Sequence, residues 1–367
     1  MRITNVEVYK ADIPLKEPFR IALGKIEVAR NVFIKINTDE QLYGVGEASP
    51  FPFIVGETQA TDLAAARDLA RLLIGKDPLE IENRLGELMR YLPKNPTVIS
   101  AFDMALYDLL GKVANLPLYT LLGGGKRTLV TDRTIGINTP DKMVQDALDF
   151  KDRGFPAVKV KLGTTATEDI DRIRRIREAL GPEIPLRIDA NQGWDYVTAL
   201  QALKGMEDQG IQYCEQPVAV WDFESMRRIN SQTTIPIMAD ESLFDDHDAY
   251  RLISMGACDY LNIKLAKSGG IHIALKTNAI AEAVGMRCMV GCMNETRLAL
   301  TAAAHLASAR SNIRFYDLDS ADFLKEDPVV EGITYSNGGK ITLPDGPGLG
   351  ATIDPSFLKN LESFVMR

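Results

Sequence analysis

The first 47 residues alternate apolar and polar side chains, as half-buried β-strands do. The pattern is clearest at Val6–Lys10 and at Val32–Ile36. Since neighbouring side chains in a strand point to opposite faces, the alternation predicts strands with one buried face. Asn37–Gln41 has the polar residues of a hairpin turn between two of them.

Residues 14–30 and 48–58 interrupt the alternation with Pro and Gly and are predicted to be mobile loops. From about Thr61 to Leu122 the apolar spacing becomes helical, so the first third of the chain is predicted to be α+β. The helical spacing is carried by Ala64, Leu69, Leu72, Leu73, Ala101, Met104, Ala105 and Leu109.

From about Leu129 to Tyr316 strand and helix patterns alternate. Strands are predicted at Thr134–Ile137, Val158–Lys161, Leu186–Asp189, Tyr213–Glu215, Ile237–Ala239, Tyr260–Lys264, Arg287–Val290 and Arg314–Tyr316. Repeated βα units form parallel sheets, and seven or eight in one run predict an α/β fold with a TIM-type barrel. We expect an α+β domain at 1–125, the barrel at 126–318, and a C-terminal segment at 319–367 that returns to the first domain.

Composition narrows the function classes. With 367 residues and 46% hydrophobic content, the chain can build a large core. A net charge of −8 argues against a nucleic-acid partner, because phosphate binding requires a basic face. Neither an apolar leader in Met1–Arg20 nor an apolar run of membrane-spanning length is present, so we expect a soluble, cytoplasmic protein with no membrane partner.

Two apparent motifs carry no chemistry. The glycine-rich run Leu122–Lys126 fails as a phosphate loop, because Thr120 stands where Gly is required and Arg127 where Ser or Thr is required; it is predicted to be a linker. The cysteines form no Cys-x-x-Cys pair and no disulfide framework, and they are expected to pack as small hydrophobes. They are Cys214, Cys258, Cys288 and Cys292.

Two lysines share one face of the predicted strand Val158–Lys161. Side chains two residues apart in a strand point the same way, so Lys159 and Lys161 are expected to lie close together. Repulsion between two ammonium groups favours the neutral amine and would lower a lysine pKa from about 10.4 towards the range of a base. A solvated edge strand with two surface lysines is the alternative that this stretch leaves open.

Acidic residues stand at the ends of the next three predicted strands. Asp189, Glu215 and Asp240 are spaced by one βα unit each, and Lys264 follows one unit later. The carboxyl ends of barrel strands form one face, so the four groups are expected to converge there. Three carboxylates together repel unless a cation joins them, and an all-oxygen ligand set suits Mg²⁺. Acids that merely cap the following helices are the alternative.

Five motifs of this region resemble those of the enolase superfamily, in its muconate-lactonizing-enzyme-like branch. A further match lies in the first domain, at Met104–Lys112. The five motifs are Lys-x-Lys (159–161), Asp-Ala-Asn-Gln-Gly-Trp (189–194), Glu-Gln-Pro (215–217), Ala-Asp-Glu-Ser (239–242) and Asn-x-Lys-x-x-Lys-x-Gly-Gly (262–270).

The resemblance implies a modified (β/α)₇β barrel under an α+β capping domain, with Mg²⁺ held by the three strand-end acids. It also implies that Lys161 and Lys264 are acid/base catalysts on opposite sides of a carboxylate substrate. One would remove the α-proton and the other return one, which is racemisation or epimerisation. With a single competent face the same site would support β-elimination or cycloisomerisation. Lys159 is expected to stay charged and to contact the substrate carboxylate.

Asp317 and Asp319 follow the last predicted strand and share a face at the barrel mouth. A polar rim is one interpretation. The Asp-x-Asp also resembles the signature of the dipeptide epimerases, where it binds the α-ammonium group of the substrate. The resemblance therefore implies a dipeptide whose C-terminal residue is epimerised. Thr134 is also expected to be a substrate-binding residue.

Specificity is expected to come from the two capping loops, 14–30 and 48–58. The Ala-Glu epimerases that the chain resembles carry a basic residue where Gly24 stands, and the second loop is strongly apolar. Burying a carboxylate there is costly without a partner. We expect an Ala-X dipeptide with small or apolar X; Ala-Glu is the alternative, because Arg20 or Lys25 could supply a partner. The predicted loop contacts are Arg20, Gly24, Phe51, Phe53 and Ile54.

Three function classes stay open at this point. The first is a dipeptide epimerase that acts on a small-molecule dipeptide, with Mg²⁺ as cofactor. The second is an N-acylamino acid racemase, o-succinylbenzoate synthase or muconate-cycloisomerase-type enzyme. The third, a non-catalytic binding protein on the same fold, is disfavoured because every acid, base and metal position is filled. The sequence allows a homo-oligomer without requiring one.

Overall fold

The alternating pattern at the start of the chain folds into an antiparallel sheet. The computed structural model describes residues 1–367. The first three strands are β1 (Ile3–Ile21), β2 (Gly24–Thr38) and β3 (Tyr43–Ala48). The turn between β2 and β3 lies where the sequence predicts it.

The predicted mobile loop at 14–30 is wrong, because this segment is a long β-hairpin. Strand β1 continues to Ile21 and β2 starts at Gly24, with Phe19 opposite Ile26. The ladder shifts register between Pro14 and Phe19, and this irregularity accommodates the prolines that interrupt the sequence pattern. The second predicted loop, 48–58, contains a one-turn helix, α1 (Pro52–Val55).

Helices cover one face of the antiparallel sheet. They are α2 (Gln59–Leu73), α3 (Ile81–Tyr91), α4 (Pro96–Ala114) and α5 (Leu118–Leu121). Helix α4 lies so close to β3 that a Cβ on Gly44 or Gly46 would come within 1.9 Å of the carbonyl oxygen of Ala105 or Ala101. These glycines therefore allow the direct contact between helix and sheet.

The βα pattern folds into a curled sheet of eight parallel strands. After a short β4 (Leu129–Val130), the strands are β5 (Arg133–Ile135), β6 (Val158–Lys161), β7 (Leu186–Asp189), β8 (Ile211–Glu215), β9 (Ile237–Ala239), β10 (Tyr260–Ile263), β11 (Arg287–Val290) and β12 (Ile313–Tyr316). Strands β5–β12 pair in chain order. A hydrogen bond from the backbone N of Asp132, just before β5, to the backbone oxygen of Tyr316, at the end of β12 (3.1 Å), joins the two edges of this sheet. The predicted α/β barrel with a capping domain is confirmed.

Eight helices alternate with these strands. They are α6 (Pro140–Asp152), α7 (Ala166–Leu180), α8 (Tyr196–Lys204), α9 (Phe223–Asn230), α10 (Asp246–Met255), α11 (Leu265–Ser268), α12 (Ile271–Ala283) and α13 (Arg297–Ala309). None of the helices combines the length and the apolar character that a membrane crossing requires.

The C-terminal segment crosses back to the first sheet. Its elements are two 3₁₀ turns (Ser320–Phe323 and Asn337–Gly339), β13 (Val329–Glu331), β14 (Thr334–Ser336), β15 (Lys340–Thr342), β16 (Ala351–Ile353), α14 (Pro355–Leu358) and β17 (Glu362–Met366). Strand β17 pairs with β1 and completes the four-stranded sheet.

A buried carboxylate ties the capping sheet to the barrel. Glu47, in β3, accepts hydrogen bonds from the backbone N of Thr296 (2.9 Å) and of Ala299 (3.1 Å), at the start of α13. The amide of Asn31 donates to the same carboxylate (2.7 Å). A carboxylate at a helix N-terminus is stabilised by the free N–H groups there. This contact fixes the cap over the carboxyl ends of the barrel strands.

A second buried acid in the cap predicts a pH-dependent stability. Burial, and then the charge of Glu57, raise the pKa of Asp62 to about 9. The folded protein keeps a proton that the unfolded chain releases near pH 4, so stability falls as pH rises between these values. Between about pH 5 and pH 8 we expect the Tm of the wild type to fall by roughly 2–4 °C more than that of Asp62→Asn. Asp68→Asn, on the same helix, is the control, and an equal fall in all three proteins would contradict the shift.

Candidate active site

Three buried carboxylates meet at the carboxyl ends of neighbouring strands. Asp189 ends β7, Glu215 ends β8, and Asp240 follows β9. One oxygen of each lies within 4.8 Å of the others, and all three side chains are fully buried. Three oxygen donors in this arrangement match what Mg²⁺ takes from a protein, with further positions left for water and substrate. The donor set therefore fits the predicted cation.

Four lysines surround these acids. Because β6 and β10 flank β7–β9 in the sheet, Lys161 and Lys264 stand at opposite ends of the row of carboxylates. Lys267 also contacts Asp240. The remaining ion pairs are Lys161 with Asp189 (2.6 Å), Lys159 with Glu215 (2.6 Å) and with Asp189 (3.4 Å), and Lys264 with Asp240 (2.8 Å).

The predicted repulsion between lysines does not set the charge of Lys159. Burial alone would lower its pKa, but the nearby carboxylates of Asp317, Glu215 and Asp189 raise it well above the ordinary value. The expectation that Lys159 stays charged agrees with this geometry. The pKa of Lys264 is raised in the same way. Burial disfavours its charged form, but the nearby carboxylates, with Asp240 contributing most, outweigh that effect.

The carboxylates influence each other strongly. Burial, and then the charge of Asp189, raise the pKa of Glu215 to about 8. Burial also disfavours the charged form of Asp240, but Lys264 and Lys267 hold its pKa well below the ordinary value. Opposite shifts in neighbouring acids are typical of like charges that share one small space. A divalent cation would relieve this repulsion.

The structure brings Asp317 and Asp319 together beyond β12. Lys159 Nζ donates to Asp317 Oδ2 (2.7 Å), and the backbone N of Thr134 donates to Asp319 Oδ2 (2.9 Å). The hydroxyl of Thr134 also reaches Asp317 Oδ1 (3.5 Å), and Arg133 pairs with Asp319 (3.4 Å). Lys159 therefore joins this pair to the three strand-end acids, and Thr134 lies beside it.

The two acids of this pair differ in pKa. Burial would raise the pKa of Asp317, but Lys159 and Lys161 hold it at about 2. Burial raises the pKa of Asp319 to about 6; Arg133 opposes this effect and the charge of Asp317 adds to it. Asp319 is therefore the acid of the pair that gains a proton more easily when the pH falls below neutral.

Apolar side chains from the cap lie over the mouth. Ile21 and Phe51 pack with Ala266 and Met293 in a small cluster, and Ile54 borders it. Ala266 comes two residues after Lys264. The tip of the hairpin also reaches the other lysine, because a Cβ on Gly163 would come within 2.7 Å of the Cβ of Ala22. We call Ile21, Phe51, Ala266 and Met293 the apolar cluster.

The remaining predicted loop contacts lie further out. Arg20 is exposed, and its backbone oxygen accepts a bond from the N of Ile137 (2.8 Å). Phe53 is 56% exposed and packs on Phe51 with ring centroids 5.7 Å apart. Gly24 lies against the exposed ring of Phe53, because a Cβ on Gly24 would come within 2.9 Å of that ring. Of the five loop residues, only Phe51 and Ile54 belong to or border the apolar cluster.

Sequence reasoning missed several polar groups that touch this site. Lys267, three residues after Lys264, is buried against Asp240. Asn262 donates to Glu215 Oε1 (2.6 Å), and Asn191 donates to Glu241 Oε1 (3.1 Å). All of them lie inside the motifs quoted above. Their position one to three residues from a strand end was the available signal.

Comparison with known families agrees with this geometry. Residues 3–123 match the family described as "Mandelate racemase / muconate lactonizing enzyme, N-terminal domain", and residues 142–357 match "Enolase C-terminal domain-like". The chain belongs to the enolase superfamily. The resemblance inferred from the motifs is thereby confirmed over both parts of the molecule.

Curated relatives in this superfamily include several epimerases and a racemase. A D-Ala-D/L-Ala epimerase of Cytophaga hutchinsonii is 44% identical over 367 residues and covers 100% of both chains. An L-Ala-D/L-Glu epimerase of Clostridium acetobutylicum is 42% identical over 353 residues, with 95% of this chain and 98% of the relative covered. The present chain is an isomerase of the enolase superfamily.

Solved structures of the superfamily share the whole fold. A dipeptide epimerase from Cytophaga hutchinsonii, complexed with Mg and the dipeptide D-Ala-L-Val, has a TM-score of 0.99 and 43% identity, covering 100% of both chains. That enzyme is therefore a solved structure with the same fold in which both a metal and a dipeptide are bound.

Proposed function

We propose that this chain is a dipeptide epimerase that inverts the α-carbon of the C-terminal residue by Mg²⁺-assisted proton transfer between Lys161 and Lys264. The observation that carries the proposal is the placement of these two lysines at opposite ends of one row of three carboxylates. A substrate carboxylate centred on that row would present its α-carbon between two amines.

The chemistry requires both charge stabilisation and two proton carriers. When bound by Asp189, Glu215 and Asp240, Mg²⁺ supplies positive charge that offsets the second negative charge of the enediolate. Lys161 and Lys264 then act on opposite faces of the α-carbon, one as base and one as acid. A cation on Asp240 would compete with Lys264 for that carboxylate, and so weaken the pairing that raises the pKa of Lys264.

The amino end of the dipeptide is assigned to Asp317 and Asp319. An ammonium group held by two carboxylates gains roughly 1.5–3 kcal/mol per charge-assisted hydrogen bond. In the Asp317→Asn/Asp319→Ala double variant, kcat/KM for L-Ala-L-Val should therefore be lower by roughly tenfold to a hundredfold. N-acetylation of the substrate should lower the kcat/KM of the wild type by a similar factor, and that of the double variant much less.

The same comparison, of two proteins with two substrates, distinguishes the proposed function from its main alternative. Lys159 and Arg133 already pair with the two acids, an arrangement that would also suit a substrate without an ammonium group, such as an N-acylamino acid. Equal wild-type turnover of L-Ala-L-Val and its N-acetyl derivative would favour an N-acylamino acid racemase over a dipeptide epimerase.

The apolar cluster predicts the side chain of the C-terminal residue. Lys25 is exposed and pairs with Glu27 (2.7 Å), and Arg20 is exposed, so neither offers a buried partner for a carboxylate. We expect kcat/KM for L-Ala-L-Val to exceed that for L-Ala-L-Glu by roughly tenfold to a hundredfold. This ratio corresponds to the free-energy cost of burying a polar group without a hydrogen-bond partner. The neutral isostere L-Ala-L-Gln is the control and should fall between them. Preference for L-Ala-L-Glu would support the Ala-Glu alternative.

A further inference from the structure

Two buried oxygen atoms beside the three strand-end acids lack a hydrogen-bond partner. They are Glu241 Oε2 and Asn191 Oδ1, on side chains that are each 1% exposed. Leaving a buried acceptor unpaired costs about 1–3 kcal/mol. Two such atoms on neighbouring side chains indicate that they share a donor that is not part of the protein.

The positions of the two side chains are fixed by the metal-binding strands. The backbone N of Asn191 donates to Asp189 Oδ1 (2.8 Å), and Asn191 Nδ2 donates to Glu241 Oε1 (3.1 Å). Glu241 directly follows Asp240. Asn191 has a φ of 40°, in the left-handed region that Asn tolerates better than most residues. The backbone turns here so that the backbone N–H contacts the predicted metal ligand Asp189, while the side-chain amide contacts Glu241.

Glu241 does not serve as a counter-ion for the lysines of the site. Those lysines pair with other acids: Lys161 with Asp189, Lys264 and Lys267 with Asp240, and Lys159 with Glu215 and Asp317. A buried carboxylate without a cationic partner is costly unless something else donates to it. A water molecule held by the cation would supply such a donor.

We propose that Asn191 and Glu241 are positioning residues for the cation: Asn191 Oδ1 and Glu241 Oε2 accept the two hydrogens of one water molecule that Mg²⁺ retains. Mg²⁺ releases its water reluctantly and demands near-octahedral geometry, so a protein that fixes one water also fixes the orientation of the others. Groups that orient metal ligands in this way typically contribute 10–100-fold to metal affinity. The inference rests on the proposed use of Mg²⁺ by this chain.

The test is the affinity of metal-free protein for Mg²⁺, measured by isothermal titration calorimetry without substrate. Glu241→Leu and Asn191→Ala should each weaken binding by about 10–100-fold, and Glu241→Gln, which keeps one acceptor oxygen, should fall in between. Since both residues hold the same water, the Asn191→Ala/Glu241→Leu double variant should bind hardly more weakly than either single variant. Circular dichroism melts show whether each variant is folded.

A buried glutamate outside this pair gives the matched control. Glu295 is also buried at the barrel mouth, but one oxygen of its carboxylate accepts from the backbone N of Met293, and neither oxygen is both fully buried and unpartnered. Glu295→Gln should change the Mg²⁺ affinity by less than about threefold, well under the 10–100-fold expected for residues that orient metal ligands. Unchanged affinity in the Glu241 and Asn191 variants, losses that add in the double variant, or an equal loss in Glu295→Gln would each overturn the inference. Absence of Mg²⁺ binding by the wild type would instead contradict the proposed function.

Discussion

Replacing Lys161 or Lys264 with alanine is expected to abolish epimerisation. In the proposed mechanism each lysine is the one proton carrier on its face of the substrate, and general acid–base catalysis typically contributes 10²–10⁴-fold to rate. We therefore expect kcat for L-Ala-L-Val to fall by at least that factor in either variant. The interconversion of the two epimers is followed by ¹H NMR.

Each of these variants should still exchange the α-proton of one epimer with solvent. The remaining lysine faces that proton, so the variant can remove and return it without inverting the carbon. In D₂O, Lys161→Ala and Lys264→Ala should label opposite epimers. Lys204→Ala, which changes an exposed lysine at the last position of α8, should keep wild-type activity. Exchange of both epimers at wild-type rate by both variants would contradict the two-lysine assignment.

Loss of the cation is expected to have the second large effect. Asp240→Asn removes one of three charged ligands, so Mg²⁺ affinity should fall by more than the 10–100-fold typical of residues that only orient ligands. Because Asp240 also neutralises Lys264 and Lys267, the same change leaves two buried ammonium groups with less compensation. Activity at sub-saturating Mg²⁺ should be lost while the circular dichroism spectrum of the barrel is retained.

The control for Asp240→Asn is a substitution in a second acidic cluster of the same chain. Asp245, Asp246 and His247 also lie close enough to share an ion, but they are far more exposed. Asp246→Asn should leave the Mg²⁺ requirement unchanged. Wild-type protein treated exhaustively with EDTA should be inactive and should recover when Mg²⁺ is added. Full activity after that treatment would exclude an essential metal.

The barrel strands were predictable because their signals are local. Strands β6, β7, β9 and β11 begin and end at the predicted residues, since each is a short apolar run bounded by residues that break strands. The hairpin of β1 and β2 was missed because Pro and Gly normally end strands. Its pairing is non-local and tolerates an irregularity that no single-strand pattern reveals.

The positions of the strand-end acids were predictable, but the ion pairs that set the charge of Lys159 were not. Asp317 approaches Lys159 from 158 residues away, and this contact helps to raise the pKa of Lys159. The outward placement of Arg20 and Phe53 likewise depends on how the hairpin lies on the barrel. Such effects follow from tertiary contacts and leave no mark in the local sequence.

The central claim is that the chain moves the α-proton of a dipeptide's C-terminal residue. The most direct measurement incubates wild-type protein with Mg²⁺ and L-Ala-L-Val in D₂O, and follows deuterium by mass spectrometry and ¹H NMR. We predict deuterium at the α-carbon of valine in both epimers, and none at the α-carbon of alanine. Two results would contradict the account. One is the absence of deuterium from every dipeptide in a panel of L-Ala-X substrates with different C-terminal residues X. The other is uptake of deuterium at the α-carbon of the N-terminal residue.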